Sequence, residues 1–270
     1  MNKILSPAHS LVTVITAVLN SRPFLERTIL SVLEQNYKPI EYLIIDGGST
    51  DGTVDLIKQY SDRIDFWSSE KDEGISDAFN KGVRHAKGDF IQFLGAGDFF
   101  WKKDSVAEMM TGIDAMSNIL VCGNIYRVDQ KNASKILWKY PLRPLACFNK
   151  KSLLFKMSVP HQALFMNKKY FEKYGFFDTT CRFSMDYELL LRSYADFPEM
   201  VMKNIVVAAW SSGGVATGRI KEVLSEQNRI RFKNKIAPVW MLLLIQFWSA
   251  FKYFCKRLLM NIGIRYRMWD

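Results

Sequence analysis

The segment Ile91-Gln92-Phe93-Leu94-Gly95-Ala96-Gly97-Asp98-Phe99-Phe100 runs from strand-like residues into a turn of small residues that holds one carboxylate. Ile91, Phe93 and Leu94 have the apolar side chains of a buried strand. Gly95, Ala96 and Gly97 leave room for a ligand to approach the backbone. Asp98 then falls at the carboxyl edge of the strand, where open α/β sheets bind their ligands. A hard oxygen donor at that edge suits Mg2+ or Mn2+ held between protein and a diphosphate. An Asp in such a turn also serves simply to cap it, so the flanking chain has to decide between the two.

Upstream, strands and helices alternate. Residues 11–16 are rich in β-branched side chains and predict a buried strand. Ser21 is placed to cap a helix with Pro23 in its first turn, and Leu25, Ile29, Val32 and Leu33 follow at helical spacing. Residues 41–45 predict a second strand, running into Asp46-Gly47-Gly48-Ser49-Thr50-Asp51-Gly52 and a helix through Val54, Ile57 and Tyr60. Residues 64–67 predict a short third strand. After a polar turn at 70–74, Ile75, Ala78, Phe79 and Val83 form the apolar face of a further helix. This alternation predicts a doubly wound α/β sheet with its ligand at the carboxyl edge.

Downstream the rhythm changes. Residues 105–116 are helical in pattern, and 120–126 and 135–138 predict a hairpin around Asp129-Gln130-Lys131-Asn132. Residues 141–160 are irregular and basic, the composition of a mobile lid. A strand at 162–166, a helix at 168–174 stopped by Gly175, a helix opening at Asp186 and a strand at 201–210 follow. Ser211-Ser212-Gly213-Gly214 predicts a loop.

The chain thus divides into an α/β domain over 1–218 and a basic, apolar helical tail over 219–270. The domain has a nucleotide-binding half at about 11–100 and an acceptor half at about 101–218. In the tail, 219–235 is a charged helix and 239–255 is apolar and aromatic but short for a membrane span. Lys256, Arg257, Arg265, Tyr266, Arg267 and Trp269 follow. We expect an in-plane anchor on anionic lipid; the competing expectation is a helical pair packed on the core.

Composition sets limits. The 270 residues are 49% hydrophobic, enough for a sizeable core, and the formal charge of +10 lies largely after Arg219. The four cysteines are scattered, without a C-x-x-C pair, which excludes a zinc ribbon or disulfide framework and fits a reducing compartment. Residues 1–10 lack a signal-peptide pattern. Because the basic residues sit beside an aromatic tail, they favour a membrane surface over nucleic acid.

Several ordered blocks now carry a family resemblance. Val14-Ile15-Thr16-Ala17-Val18-Leu19-Asn20 and Tyr42-Leu43-Ile44-Ile45-Asp46-Gly47-Gly48-Ser49-Thr50-Asp51-Gly52-Thr53 are two of them. Ser69-Glu70-Lys71-Asp72-Glu73-Gly74-Ile75-Ser76-Asp77-Ala78-Phe79-Asn80-Lys81-Gly82 and Ala86-Lys87-Gly88-Asp89 follow. Downstream stand His161-Gln162, Gly175-Phe176-Phe177-Asp178, Met185-Asp186-Tyr187-Glu188 and Gly213-Gly214. Over roughly 11–218 the chain resembles family 2 glycosyltransferases, in particular the bacterial exopolysaccharide (colanic-acid-like) branch that transfers sugars onto lipid-linked intermediates.

The resemblance implies a GT-A (Rossmann-like) fold, a mixed sheet flanked by helices, with a C-terminal helical membrane-associating tail. It implies a nucleotide-sugar donor, UDP in the common case, with Mn2+ or Mg2+ as cofactor. Thr16, Asp46, Asp72, Gly97, Asp98 and His161 become nucleotide-sugar-binding candidates, with Asp46 on the donor's base. Asp98 matches the last acidic residue of the family's metal motif, whereas Gly97 stands where an Asp often does, removing one carboxylate. Asp186 matches the catalytic base, which an acceptor hydroxyl attacking an anomeric carbon requires. Glu188 is a second candidate for that role; two residues on, it should point to a different helix face. His161 is expected to line the acceptor or phosphate site.

The activity expected is an inverting transfer to a lipid-linked or polysaccharide acceptor, by an enzyme peripheral to the cytoplasmic face of a bacterial inner membrane. A dinucleotide oxidoreductase needs G-x-G-x-x-G where this chain has Asp46-Gly47-Gly48-Ser49. A catalytically inactive, membrane-associated sugar-nucleotide-binding homologue would account for Gly97 but not for an intact Asp186.

Overall fold

The computed structural model describes residues 10–140, 148–214 and 216–261. β1 (Val12–Val18) is buried along its whole length and pairs in parallel with β2 (Ile40–Asp46) and β4 (Phe90–Gly95). β2 pairs in parallel with β3 (Phe66–Ser69). α1 (Arg22–Leu33), α2 (Thr53–Gln59) and α3 (Ile75–His85) are the intervening helices. Strands buried on both faces need apolar side chains at nearly every position, which is what β1, β2 and β4 carry.

The second half turns this parallel sheet into a mixed one. β5 (Phe99–Phe100) and α4 (Ser105–Met110) come first, then the hairpin of β6 (Leu120–Val128) and β7 (Ile136–Tyr140). β8 (Leu164–Asn167) runs antiparallel to both β4 and β6. α5 (Lys168–Tyr174) and α6 (Met185–Arg192) lead to β9 (Met200–Ser211), parallel to β6 and antiparallel to β5. The sheet order is β3-β2-β1-β4-β8-β6-β9-β5, with β7 on β6. One face packs Phe79, Phe93, Phe171, Tyr187 and Leu190 against α3, α5 and α6. The other packs Leu25, Ile29, Ile57 and Met109.

Several local expectations shift. Ser21 precedes α1, but its hydroxyl donates to the Leu19 carbonyl at 3.1 Å and caps no helical N–H. Its ψ of 30° does not give the extended geometry of a side-chain cap. The third strand begins at Phe66, and the exposed Asp65 before it accepts the Tyr42 N–H at 2.8 Å. The helix expected over 105–116 ends at Met110, just before Gly112 at φ +69. His161 and Gln162 form a tight helical turn after Pro160, so the strand expected at 162–166 starts at Leu164. In the expected lid, 141–147 lie outside the described residues, and 150–154 is a short turn with Leu153 and Leu154 buried.

The tail divides in two. α7 (Ile220–Lys233) packs on α6, contributing Ile230, with no exposed surface, to the core. α8 (Val239–Asn261) packs on α7 through Leu242 and Ile245, 2% and 4% exposed, and turns a broad apolar face outward. Among the described residues, no helix is long and apolar enough to cross a membrane.

Candidate active site

The carboxyl ends of β1, β2 and β4 meet at one edge. There Asp46, the last residue of β2, is fully buried. Its Oδ2 accepts from the Gly48 N–H (3.1 Å), the Ser49 N–H (2.9 Å) and the Ser69 hydroxyl (2.7 Å). Its Oδ1 is sealed with no partner. An orphaned buried acceptor costs about 1–3 kcal/mol unless a donor reaches it. Asp72 lies beside it: a Cβ on Gly47 would sit 2.4 Å from Asp72 Oδ2. Burial pushes the Asp72 carboxyl up, with the Asp77 and Asp46 charges adding to it.

Thr16 is not part of this edge. It is fully buried, its hydroxyl is 3.2 Å from the Tyr42 phenol, and it pairs with Ile44 and Leu94 behind the edge. The residue opposite Asp46 is Val18. The match of the β1 block placed Thr16 at the ligand; the strand runs two residues further before it reaches the cleft.

The Gly97–Asp98 turn is clasped from both sides. From α1, Arg27 Nη2 donates to the Gly97 carbonyl (2.8 Å), and the Thr28 hydroxyl donates to the Asp98 carbonyl (2.7 Å). From the end of β9, the Ser211 N–H donates to Asp98 Oδ1 (2.9 Å) and its hydroxyl to the Gly97 carbonyl (2.6 Å). Gln162 Nε2 donates to Asp98 Oδ2 at 3.2 Å. Burial pushes the Asp98 carboxyl up to about 6; the hydrogen bonds from Ser211 and Gln162 and the Arg27 charge hold it back. Gly97 has φ +101, a conformation that opposes any side chain, including the carboxylate that the family resemblance led one to expect there.

No cluster of three or more His, Cys, Asp or Glu side chains that could hold a metal occurs among the described residues. Asp98 is thus a single hard carboxylate, under-compensated in a buried setting, and it fits a divalent ion whose remaining ligands are diphosphate oxygens and water.

Asp186 is the second residue of α6, after Ser184 at the cap position. Its Oδ1 accepts the Tyr187 N–H at 2.7 Å, and its Oδ2 lies 3.8 Å from His161 Nδ1. Burial pushes this carboxyl up, and His161 pulls it back. Glu188 is elsewhere. It is sealed at 1% exposure, paired with Arg192 and 3.6 Å from Lys233. A carboxylate spent on two cations on another helix face cannot serve as the base, so the second candidate is withdrawn.

Three further contacts hold the Asp186 segment, and local sequence signals none of them. Asn80 of α3 donates to the Phe177 carbonyl (2.9 Å) and accepts the Phe177 N–H (2.8 Å). Glu226 of α7 accepts the N–H groups of Arg182, Phe183 and Ser184 at 2.7–2.9 Å. Arg231, 1% exposed, donates to the Tyr187 phenol at 2.9 Å. The structure therefore brings Gln162 to Asp98 and its chain neighbour His161 to Asp186, with Asp46 at the end of β2 and Asp72 beside Gly47. The Gly213 turn leans on the hairpin, where Gln130 N–H donates to the Ser212 hydroxyl at 3.0 Å.

Comparison with known proteins agrees with this geometry. The model of glycosyl transferase family 2 matches residues 13–175. An uncharacterized glycosyltransferase of Mycobacterium tuberculosis is 33% identical over 210 residues, 77% of this chain and 78% of the relative. A PGL/p-HBAD biosynthesis glycosyltransferase of Mycobacterium bovis is 25% identical over 268 residues, 96% of this chain and 98% of the relative. The crystal structure of S. aureus TarS in complex with UDP-GlcNAc has a TM-score of 0.65 at 13% identity, covering 82% of this chain and only 65% of the TarS chain. The mannosyltransferase PcManGT from Pyrobaculum calidifontis, in complex with GDP-Man and Mn2+, has a TM-score of 0.62 at 19% identity, covering 88% and 68%. These two share the fold, a GT-A mixed sheet with flanking helices. By the family match over more than half its length and by its 33% relative, the chain belongs to glycosyl transferase family 2.

Proposed function

We propose that the protein is a metal-dependent, inverting glycosyltransferase that moves a sugar from a nucleotide-sugar donor, UDP-linked, to a lipid-linked or polysaccharide acceptor in bacterial surface-polysaccharide synthesis. The observation that carries the reading is the joining of Asp98 and Asp186 through the adjacent residues Gln162 and His161. Asp46 Oδ1, buried and unpartnered, is the acceptor for the N–H of the donor's base. Asp98 would hold a divalent ion, which when bound would offset charge on the leaving diphosphate. Asp186 takes the proton of the acceptor hydroxyl as its oxygen bonds to the anomeric carbon. The bond from that carbon to the diphosphate breaks, its electron pair leaves with the nucleoside diphosphate, and one displacement inverts the centre.

The apolar face of α8 supports a peripheral place on the cytoplasmic face of the inner membrane. Trp240 and Phe247 are 65% and 70% exposed, and Leu243, Leu244, Phe251, Phe254 and Leu258 continue the face at helical spacing. Such a face beside basic residues suits a lipid surface bearing anionic headgroups.

A second reading, a non-catalytic sugar-nucleotide-binding homologue, rests on Gly97, whose backbone leaves Asp98 as the lone carboxylate of its turn. Calorimetry with UDP, with and without Mn2+, together with an assay of UDP released from UDP-sugars, separates the two. Metal-dependent binding and turnover, the latter lost by at least about a hundredfold in Asp186→Asn with UDP binding kept, support the enzyme. Binding without turnover supports the homologue, and an Asp186→Asn variant with wild-type turnover removes the base assignment.

A further inference from the structure

His161 follows Pro160 in the turn that precedes β8, and its neighbour Gln162 is anchored at both ends. The Gln162 carbonyl accepts Gln92 Nε2 at 2.7 Å, and its amide reaches Asp98. The ring of His161 stands edge-on to Phe79, with centroids 6.1 Å apart. Nδ1 faces Asp186 Oδ2 at 3.8 Å, while Nε2 is sealed and has no partner. Both residues line a cavity of about 10 Å³ walled by Phe79, Phe93, Leu164 and Phe177.

This setting assigns the tautomer. Nδ1 faces a carboxylate, an acceptor, so Nδ1 carries the proton. A protonated ring would bury a positive charge as well as an Nε2–H with nothing to accept it, and an unsatisfied charged group costs more than a neutral one. Burial lowers the imidazole pKa, in keeping with a neutral ring, although Asp186 opposes that shift. Glu226 of α7 acts on Asp186 through a charge that disfavours ionisation, and the Tyr140 phenol of β7, raised chiefly by burial, feels the Asp186 charge in turn.

We infer that His161 is a positioning residue for Asp186: its neutral ring, protonated at Nδ1, steadies Oδ2 and favours the ionised carboxylate, and it does not touch the donor phosphates. This rests on the reading of Asp186 as the base. At 3.8 Å the contact is longer than a hydrogen bond, so its influence on the carboxylate is electrostatic.

The sign follows from the chemistry. The base works only when ionised, and an N–H directed at the carboxylate favours that form. Removing the N–H leaves the carboxyl titrating higher. The test is carbon-13 NMR titration of the Asp186 carboxyl, assigned with Asp186→Asn, in the wild type, His161→Leu and His161→Gln, together with nitrogen-15 spectra of the imidazole.

We expect the Nδ1–H tautomer in the wild type. In His161→Leu the Asp186 midpoint rises by about one pH unit, whereas His161→Gln, which keeps an N–H, stays near the wild type. UDP binding by calorimetry is unchanged in both, which also reports that they fold. An unchanged midpoint in His161→Leu, an Nε2–H tautomer, or UDP binding weakened in both variants would overturn the assignment, the last making His161 a phosphate ligand. Failure of the base reading appears separately, as wild-type turnover in Asp186→Asn.

Discussion

Gln162 donates to Asp98 across 3.2 Å, and this hydrogen bond ties the Asp98 carboxylate to the turn that carries His161. Asp98 is held without a full counter-charge. A carboxyl whose folded pKa is raised stabilises the fold when protonated. That contribution is complete below the unfolded value of about 4 and is lost as pH rises through about 6. Asp98→Asn mimics the protonated form. It should stabilise the metal-free protein at pH 8 by roughly 1–3 kcal/mol and abolish Mn2+-dependent UDP binding. Urea unfolding and calorimetry check both, and an unchanged or lower stability at pH 8 would contradict the burial argument.

The Gly97 backbone separates family resemblance from local geometry. Resemblance alone says that Gly97→Asp restores the usual carboxylate and tightens metal binding. At φ +101 the substitution should instead cost about 1–3 kcal/mol, lower the melting temperature by several degrees and leave Mn2+ affinity no better. Thermal unfolding and Mn2+ titration in the presence of UDP decide it. A stable variant with tighter metal binding would show that the turn relaxes.

Glu226 organises the entry to α6. Glu226→Ala strips three backbone N–H groups of their acceptor, two of them on part-buried residues. We expect a stability loss of about 1–3 kcal/mol and a fall in turnover with UDP affinity nearly unchanged, because the donor edge lies on β2 and β4. If UDP binding falls as far as turnover, α7 supports the whole domain rather than the base segment.

The outward face of α8 predicts lipid binding without a change of fold. Trp240 and Phe247 are highly exposed, so replacing both with Ser should leave the melting temperature nearly unchanged. Each large apolar side chain withdrawn from lipid is worth about 1.5–3 kcal/mol, so affinity for vesicles containing an anionic lipid should drop by about a hundredfold or more. Sedimentation with vesicles of neutral and anionic composition measures it. Equal pelleting of wild type and variant would send the apolar face to a protein partner instead.

Local pattern carried much of the architecture. Residues 168–174 form α5 and stop at Gly175, whose φ of +80 a glycine adopts without strain. The strands β1, β2 and β4 lie close to their apolar runs, because burial on both faces leaves a continuous signal in sequence. Asp46 and Asp98 were placed at the sheet edge by the turns that follow their strands. Thr16 was misplaced because a motif block gives order along the chain but not where the strand meets the cleft. A helix period separates the faces of Asp186 and Glu188 without naming the partners on each, so only the packing shows Glu188 against Arg192 and Lys233.

The sequence by itself determined the alternation of strands and helices, the small-residue turn at Asp98 and the helix that opens at Asp186, since each depends on side chains a few residues apart. Only the tertiary structure decided that Gln162 reaches Asp98, that Ser211 closes the turn from 113 residues away and that Glu226 steadies the entry to α6. Such contacts depend on strand order and on how helices pack across the sheet. A hydrogen bond between distant residues leaves no periodic trace in the chain that forms it.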